Sequence, residues 1–251
     1  MPPRLSYTIW FSQRTGSTLL SRALAATGMA GRPAEWLYTG DTELMTHYGV
    51  ADVAELQAHL WTLGSTPNGV FGLKHSFYEP QVSRVLATLG TLPGSPPPST
   101  PRAAVWAHAF PHHRHIFMTR RNKVRLAVSW WKAIRTQEWH REPGAPATSR
   151  PPVDDYSFDA INHLLCEATL REAGIQEFFA EAGIVPLTVV YEDFSADYTG
   201  TLARVLNFLG LDATDASIPP PPLAPTADAV NEAWVQRFRK ERQEGWENWG
   251  W

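Results

Sequence analysis

Between an apolar run, Ser6–Phe11, and a segment with leucines at helical spacing lies Ser12-Gln13-Arg14-Thr15-Gly16-Ser17-Thr18: one cation, one glycine and several hydroxyls. A strand, a tight turn and a helix N-terminus in that order form an anion cradle, because successive backbone N–H groups point inward and the helix dipole adds positive potential. Gly16 lets the backbone approach the anion, Arg14 supplies a guanidinium fork, and Ser17 and Thr18 supply hydroxyl donors. The alternative is an ordinary strand–turn–helix connection with an exposed arginine. The order of residues does not fit a nucleoside-triphosphate loop, in which a lysine follows the second glycine; here Ser17 holds that place and the cation precedes the glycine. Such an enzyme also wants an acid after a later strand, where this chain has Thr119-Arg120-Arg121. Lys74-His75 is a third candidate pair, at the end of another short apolar run.

These residues need elements to hold them. The periodicity predicts strands at Ser6–Phe11, Val70–Lys74, Arg114–Thr119 and Val185–Tyr191. It predicts helices at Ser17–Thr27, Asp52–Leu63, Pro80–Gly90, Lys123–His140, Phe158–Ala182 (with a weak point at Gly174), Tyr198–Leu209 and Ala227–Glu244. Strands separated by helices imply a parallel sheet covered on both faces, an α/β three-layer sandwich of the P-loop-like kind. Sites in such folds lie beyond the carboxyl ends of the strands, where Ser12–Thr18, Lys74-His75 and Arg120 all fall. Pro-rich stretches near 92–101, 142–152 and 218–225 read as insertions in one domain spanning 1–251, the middle one as a mobile loop or lid.

With 251 residues, 43% apolar, the chain can bury a full core, and a net charge of −3 argues against nucleic acid or an acidic membrane as partner. The single cysteine, Cys166, excludes an internal disulfide and reads as a buried structural thiol. The cluster His108…His112-His113-Arg114-His115 reads as a solvated loop rather than a metal site, and no metal is expected. Without a signal-peptide pattern or an apolar run of membrane length, a cytoplasmic protein is expected.

Ser12-Gln-Arg-Thr-Gly-Ser-Thr-Leu-Leu resembles the 5′-phosphosulfate loop of sulfotransferases, and the chain is similar to bacterial trehalose 2-sulfotransferases and their relatives over most of its length. The likeness continues through Ala26–Glu35, Thr66–Lys74, Arg120 through Ala133, Arg135–Trp139 and, loosely, Ala227…Trp234. The resemblance implies 3′-phosphoadenosine 5′-phosphosulfate as donor, with Arg14, Thr15, Gly16, Ser17, Thr18 and Leu19 at its 5′ end and Arg120 with Ser129 at its 3′-phosphate. Arg121 is a second claimant there. It implies a small polar acceptor, a sugar hydroxyl by preference, with Glu35 as general base. Lys74 would lie near the transferring group. His75 is the rival base, one residue out of register with the usual pattern, which on a strand means the opposite face. Trp130, Trp131 and Trp139 lie on one predicted helix; Trp131 and Trp139, eight apart, are either core or a sugar-stacking or adenine platform. Arg135 and Ala224-Pro225-Thr226 depart from the family pattern in regions that touch acceptor and nucleotide. The amphipathic C-terminal helix presents either a solvated basic face or a homodimer contact. A kinase-like enzyme and a noncatalytic nucleotide-binding relative are the competing readings.

Overall fold

The computed structural model describes residues 1–146, 155–213 and 218–244. Four strands, β1 (Leu5–Phe11), β2 (Val70–Ser76), β3 (His113–Thr119) and β4 (Leu187–Val190), form one parallel sheet in the order β2-β1-β3-β4. Strand residues alternate between two buried faces, as a sheet covered on both sides requires. On one face Tyr7, Ile9, Phe11, Ile116 and Met118 pack against α1 (Ser17–Ala26) and α9 (Tyr198–Phe208). On the other, Trp10, Phe71, Leu73 and Phe117 pack against α3 (Val53–Gly64), α4 (Gln81–Leu89), α5 (Arg102–Ala109) and α7 (Phe158–Ala180). A third cluster joins α6 (Lys123–Thr136), α7 and α10 (Ala229–Gln243) through Leu126, Trp130, Ile161, Trp234 and Phe238. The apolar face of α10 is thus spent on α6 and α7. Two short helices, α2 (Leu44–Tyr48) and α8 (Tyr191–Ala196), complete the set.

The three-layer expectation holds, and the differences from it are local. β2 runs two residues further than its apolar pattern, so His75 and Ser76 belong to the strand. α6 stops at Thr136 because Gln137 turns left-handed at φ 57°, so Trp131 and Trp139 do not share a helix face. Gly174 is no weak point in α7: a Cβ there would lie 2.6 Å from the Phe77 ring, so the missing side chain admits a neighbour. Cys166 is exposed rather than buried, since the inward face of α7 is set by Ile161, Leu164, Ala168 and Ile175. Of the histidine cluster, His108 and His112 are exposed, whereas His113 and His115 belong to β3. α5 and α8 were not expected; the first is masked by its Pro-rich approach, and the second replaces the end of a predicted strand. Residues 147–152 of the predicted lid lie outside the described residues.

Candidate active site

The carboxyl ends of β1, β2 and β3 open onto a cavity of about 830 Å3. Among the described residues its lining carries six cations, Arg14, Lys74, Arg120, Arg125, Arg141 and Arg171, and one carboxylate, Glu35. Carboxylates outside the lining match part of that charge: Glu232 pairs with Arg125, Glu138 with Arg141 and Glu167 with Arg171, and Glu192 lies 3.7 Å from Arg120.

The turn after β1 forms the floor. Gly16 lies at φ 83°, and a Cβ on it would approach Tyr191 Cδ2 to 2.7 Å, so both conformation and contact demand glycine. Thr15 Oγ1 closes the turn on Ser12 O at 2.8 Å and does not line the cavity. Arg14 is also left-handed, at φ 64°, which costs about 1–3 kcal/mol. Three hydrogen bonds offset that cost: Nε donates to Ser129 Oγ at 3.0 Å, Nη1 to Trp139 O at 2.5 Å and Nη2 to Thr226 Oγ1 at 3.1 Å. Arg14 and Ser129, assigned by resemblance to opposite ends of the donor, thus touch each other. Burial, and then the neighbouring Arg120, pull the Arg14 pKa down to about 10, which leaves it cationic at neutral pH. Arg120 lies over the Tyr191 ring at 4.6 Å and 3.7 Å from Glu192 Oε1; its Nε is buried with no hydrogen-bond partner, and burial lowers its pKa. Arg121 is turned away to Asp193 and does not line the cavity.

Glu35 reaches the cavity on an added edge of the sheet. Thr66 Oγ1 accepts from Gly31 N at 3.1 Å, and Asn68 Nδ2 donates to Met29 O at 2.8 Å, so the turn before β2 anchors the chain ahead of Glu35. A Cβ on Gly31 would meet Gly72 N at 2.7 Å. Beyond it Ala34 bridges Leu73, with Lys74 N donating to Ala34 O at 2.9 Å. That pairing sets Glu35 beside Lys74, whose Nζ donates to Glu35 Oε1 at 2.8 Å and Thr18 Oγ1 at 2.9 Å and sits 4.6 Å from the centre of the Phe11 ring. Ser17, Thr18 and Leu19 at the start of α1 complete that wall.

His75, adjacent to Lys74, borders the cavity, but its ring belongs to the opposite face of the sheet. It is 2% exposed, packed edge-on to Trp10 at 5.8 Å and against Trp106 at 5.3 Å. Burial pushes its pKa down to about 4.

The remaining predicted contacts divide. Trp139 lines the cavity, while Trp131 and Arg135 do not: Trp131 Nε1 donates to Asp155 O at 2.8 Å, and Arg135 pairs with Asp155 at 3.2 Å. Several lining residues were not among the predicted site residues. Tyr191 stacks under Arg120. Trp130 lies beside Trp131 on α6 but faces inward, and it holds Arg171 with Tyr78. His140 follows Trp139; partial burial, then Arg14, Lys74 and Arg22, push its pKa down to about 4. The third Pro-rich stretch is cavity wall: Pro221 and Leu223–Ala227 line it, secured by Lys132 Nζ, which donates to Thr226 O at 3.0 Å and pairs with Asp228 at 2.9 Å. A buried charge on an apolar helix face was the legible signal for Lys132; among the wall residues, family likeness points to Ala224-Pro225-Thr226, while Pro221, Leu223 and Ala227 carry no local signal.

A parallel α/β sheet with a strand–turn–helix loop, two half-buried arginines and a carboxylate–lysine pair at its carboxyl edge is the frame of a group-transfer enzyme. The Stf0 sulphotransferase family matches residues 6–241, and the chain belongs to that family; it is a sulfotransferase. The trehalose 2-sulfotransferase of Mycolicibacterium smegmatis is 31% identical over 95% of this chain and 96% of its own length. That of Mycobacterium tuberculosis is 31% identical over 94% of both. A sulfotransferase structure from Alicyclobacillus acidocaldarius shares the fold, with a TM-score of 0.51 at 15% identity over 95% of this chain and 92% of that one. Among the described residues no helix is long and apolar enough to cross a membrane.

Proposed function

We propose that the cavity binds 3′-phosphoadenosine 5′-phosphosulfate and that the enzyme transfers its sulfuryl group to a hydroxyl of a trehalose-like carbohydrate. The observation that carries this reading is the Glu35–Lys74 pair beside the N-terminus of α1, the one acid among the lining cations of the described residues. One feature fits a second anionic group apart from the loop: the buried Nε of Arg120, which has no hydrogen-bond partner. The trehalose 2-sulfotransferases at 31% identity support a sugar acceptor.

Bound there, the donor supplies an activated sulfuryl group on a good leaving group. The protein's part is placement and charge. Backbone N–H groups of Gly16–Thr18 and the Arg14 guanidinium hold the 5′ end and stabilise charge that grows as the bond to sulfur breaks. Arg120 and Ser129 hold the 3′-phosphate. Lys74 Nζ faces the transferring group, and a Glu35 carboxylate oxygen accepts the acceptor hydroxyl's proton. Trp139 offers a ring face to the sugar. The opposite directions of Lys74 and His75 favour Glu35 as base.

A thermal-shift experiment tests the donor: adenosine 3′,5′-bisphosphate raises Tm and Mg-ATP does not. Labelled-sulfate transfer to a panel of disaccharides tests the acceptor. A shift with Mg-ATP alone would move the enzyme to nucleoside-triphosphate chemistry.

A further inference from the structure

We infer that Glu172 is a positioning residue that fixes the spacing between the anion loop and Arg120, and so makes the two phosphate contacts act as one; this rests on the donor reading above. Glu172 is 6% exposed and does not line the cavity. Three side chains from three elements converge on its carboxylate. Ser12 Oγ donates to Oε1 at 3.0 Å, Thr119 Oγ1 to Oε2 at 2.9 Å and Lys123 Nζ to Oε2 at 2.6 Å. Lys123 also donates to Thr119 Oγ1 at 2.8 Å.

The positions of these partners are what matter. Ser12 follows the last residue of β1 and stands two before Arg14; Thr119 ends β3 and stands one before Arg120. β1 and β3 are ladder neighbours only as far as Phe11 and Met118. Beyond that pair no backbone ladder ties the loop to the Arg120 segment, and the Glu172 carboxylate bridges them instead. The preceding residue adds a second grip: Arg171 Nη1 donates to Gln13 Oε1 at 2.7 Å. Two successive side chains of α7 therefore hold two successive residues of the loop.

A buried carboxylate is tolerated only when its lone pairs and charge are matched. A side chain that merely docked α7 on the sheet would need one partner. This one has a partner on each of the two segments bearing phosphate contacts, and recognition by paired charges depends on holding them to within a fraction of an ångström.

The test measures Kd for adenosine 3′,5′-bisphosphate and for 5′-AMP, with Tm alongside, on the full chain and on Glu172→Gln. The variant keeps the shape and removes the charge that holds Lys123 and the second oxygen that accepts from Thr119. The preference for the bisphosphate should fall by about tenfold, while 5′-AMP affinity changes less than about threefold. An unchanged preference in a folded variant overturns the inference. Equal weakening of both ligands overturns it as well, because it reports only a docking contact. If Glu172→Gln does not fold, Ser12→Ala and Thr119→Val each remove one arm of the bridge; each should lower the preference by about threefold, and an unchanged preference in both is equally fatal. A wild-type chain with no preference for the bisphosphate would strike the donor reading itself, and this inference with it.

Discussion

The two faces of the central sheet are made from adjacent residues of the same strands and have opposite electrostatic character. Toward α5 and α7 the polar groups are locked among rings. Trp10 Nε1 donates to His115 Nδ1 at 3.0 Å, Trp106 Nε1 donates to Thr8 Oγ1 at 3.0 Å, and Thr8 Oγ1 meets His113 Nε2 at 2.9 Å. Burial pushes His75 and His115 down to about 4, and His113, with His115 beside it, well below the ordinary histidine value. That face keeps its histidines neutral. Toward α1, one residue along β2, Lys74 pairs with Glu35 at 2.8 Å at the mouth of the cavity. Strand parity thus decides which neighbour does chemistry and which builds the wall behind it.

The sharpest way to break this contrast is at Glu35. Glu35→Gln keeps the shape and removes the proton acceptor, so turnover should fall by ~10²–10⁴ with donor affinity near wild type, in steady-state kinetics with labelled sulfate. Normal turnover in that variant, with an inactive His75→Ala, would hand the role to the closed face. Next, Arg14→Ala should cut kcat by ~10²–10³, and unchanged turnover would remove the loop from the reaction. Arg120→Ala should weaken adenosine 3′,5′-bisphosphate by about 1.5–3 kcal/mol and leave 5′-AMP nearly unaffected, by calorimetry.

The closed face makes a prediction about stability. Its histidines have folded pKa values below the unfolded ~6.5, so above that pH they contribute nothing to the pH dependence. As pH falls through ~6.5 the unfolded chain takes protons that the folded one refuses, and stability drops by up to about 1.4 kcal/mol per pH unit for each such histidine. The loss levels off for His75 and His115 near pH 4, where the folded state titrates as well. Tm measured from about pH 7.5 down to about pH 4 should show this decline; a flat curve would mean that the imidazoles are not held neutral. The smallest effect is expected for turnover of the folded His75→Ala protein, which should stay within a few-fold of wild type while its Tm falls.

What the sequence made legible was contiguous. Ser12–Thr18 carries its own strand, turn and helix start, so its shape follows from local rules. Lys74 and Arg120 were placed by the fold-level rule for strand ends. The Glu35 position followed from family likeness, and its physical cause, the Ala34–Leu73 bridge and the Thr66–Asn68 anchor, is a tertiary pairing that no local pattern announces. The acceptor side was least legible. Trp131 and Arg135 fit a single long helix, but a left-handed Gln137 ends that helix early and sends only Trp139 into the cavity. Glu172 could have been found: it falls at helical spacing with Ala168 and Ile175, where a charge needs a buried partner.

The hydrogen bond from Arg14 to Thr226 joins residues 212 positions apart. Its consequence concerns time. As the chain leaves the ribosome, the anion loop is made 212 residues before the hydroxyl that steadies its arginine. The loop can reach its full geometry only after Thr226 has emerged, so a chain stopped before Thr226 should bind adenosine 3′,5′-bisphosphate more weakly than one that includes it.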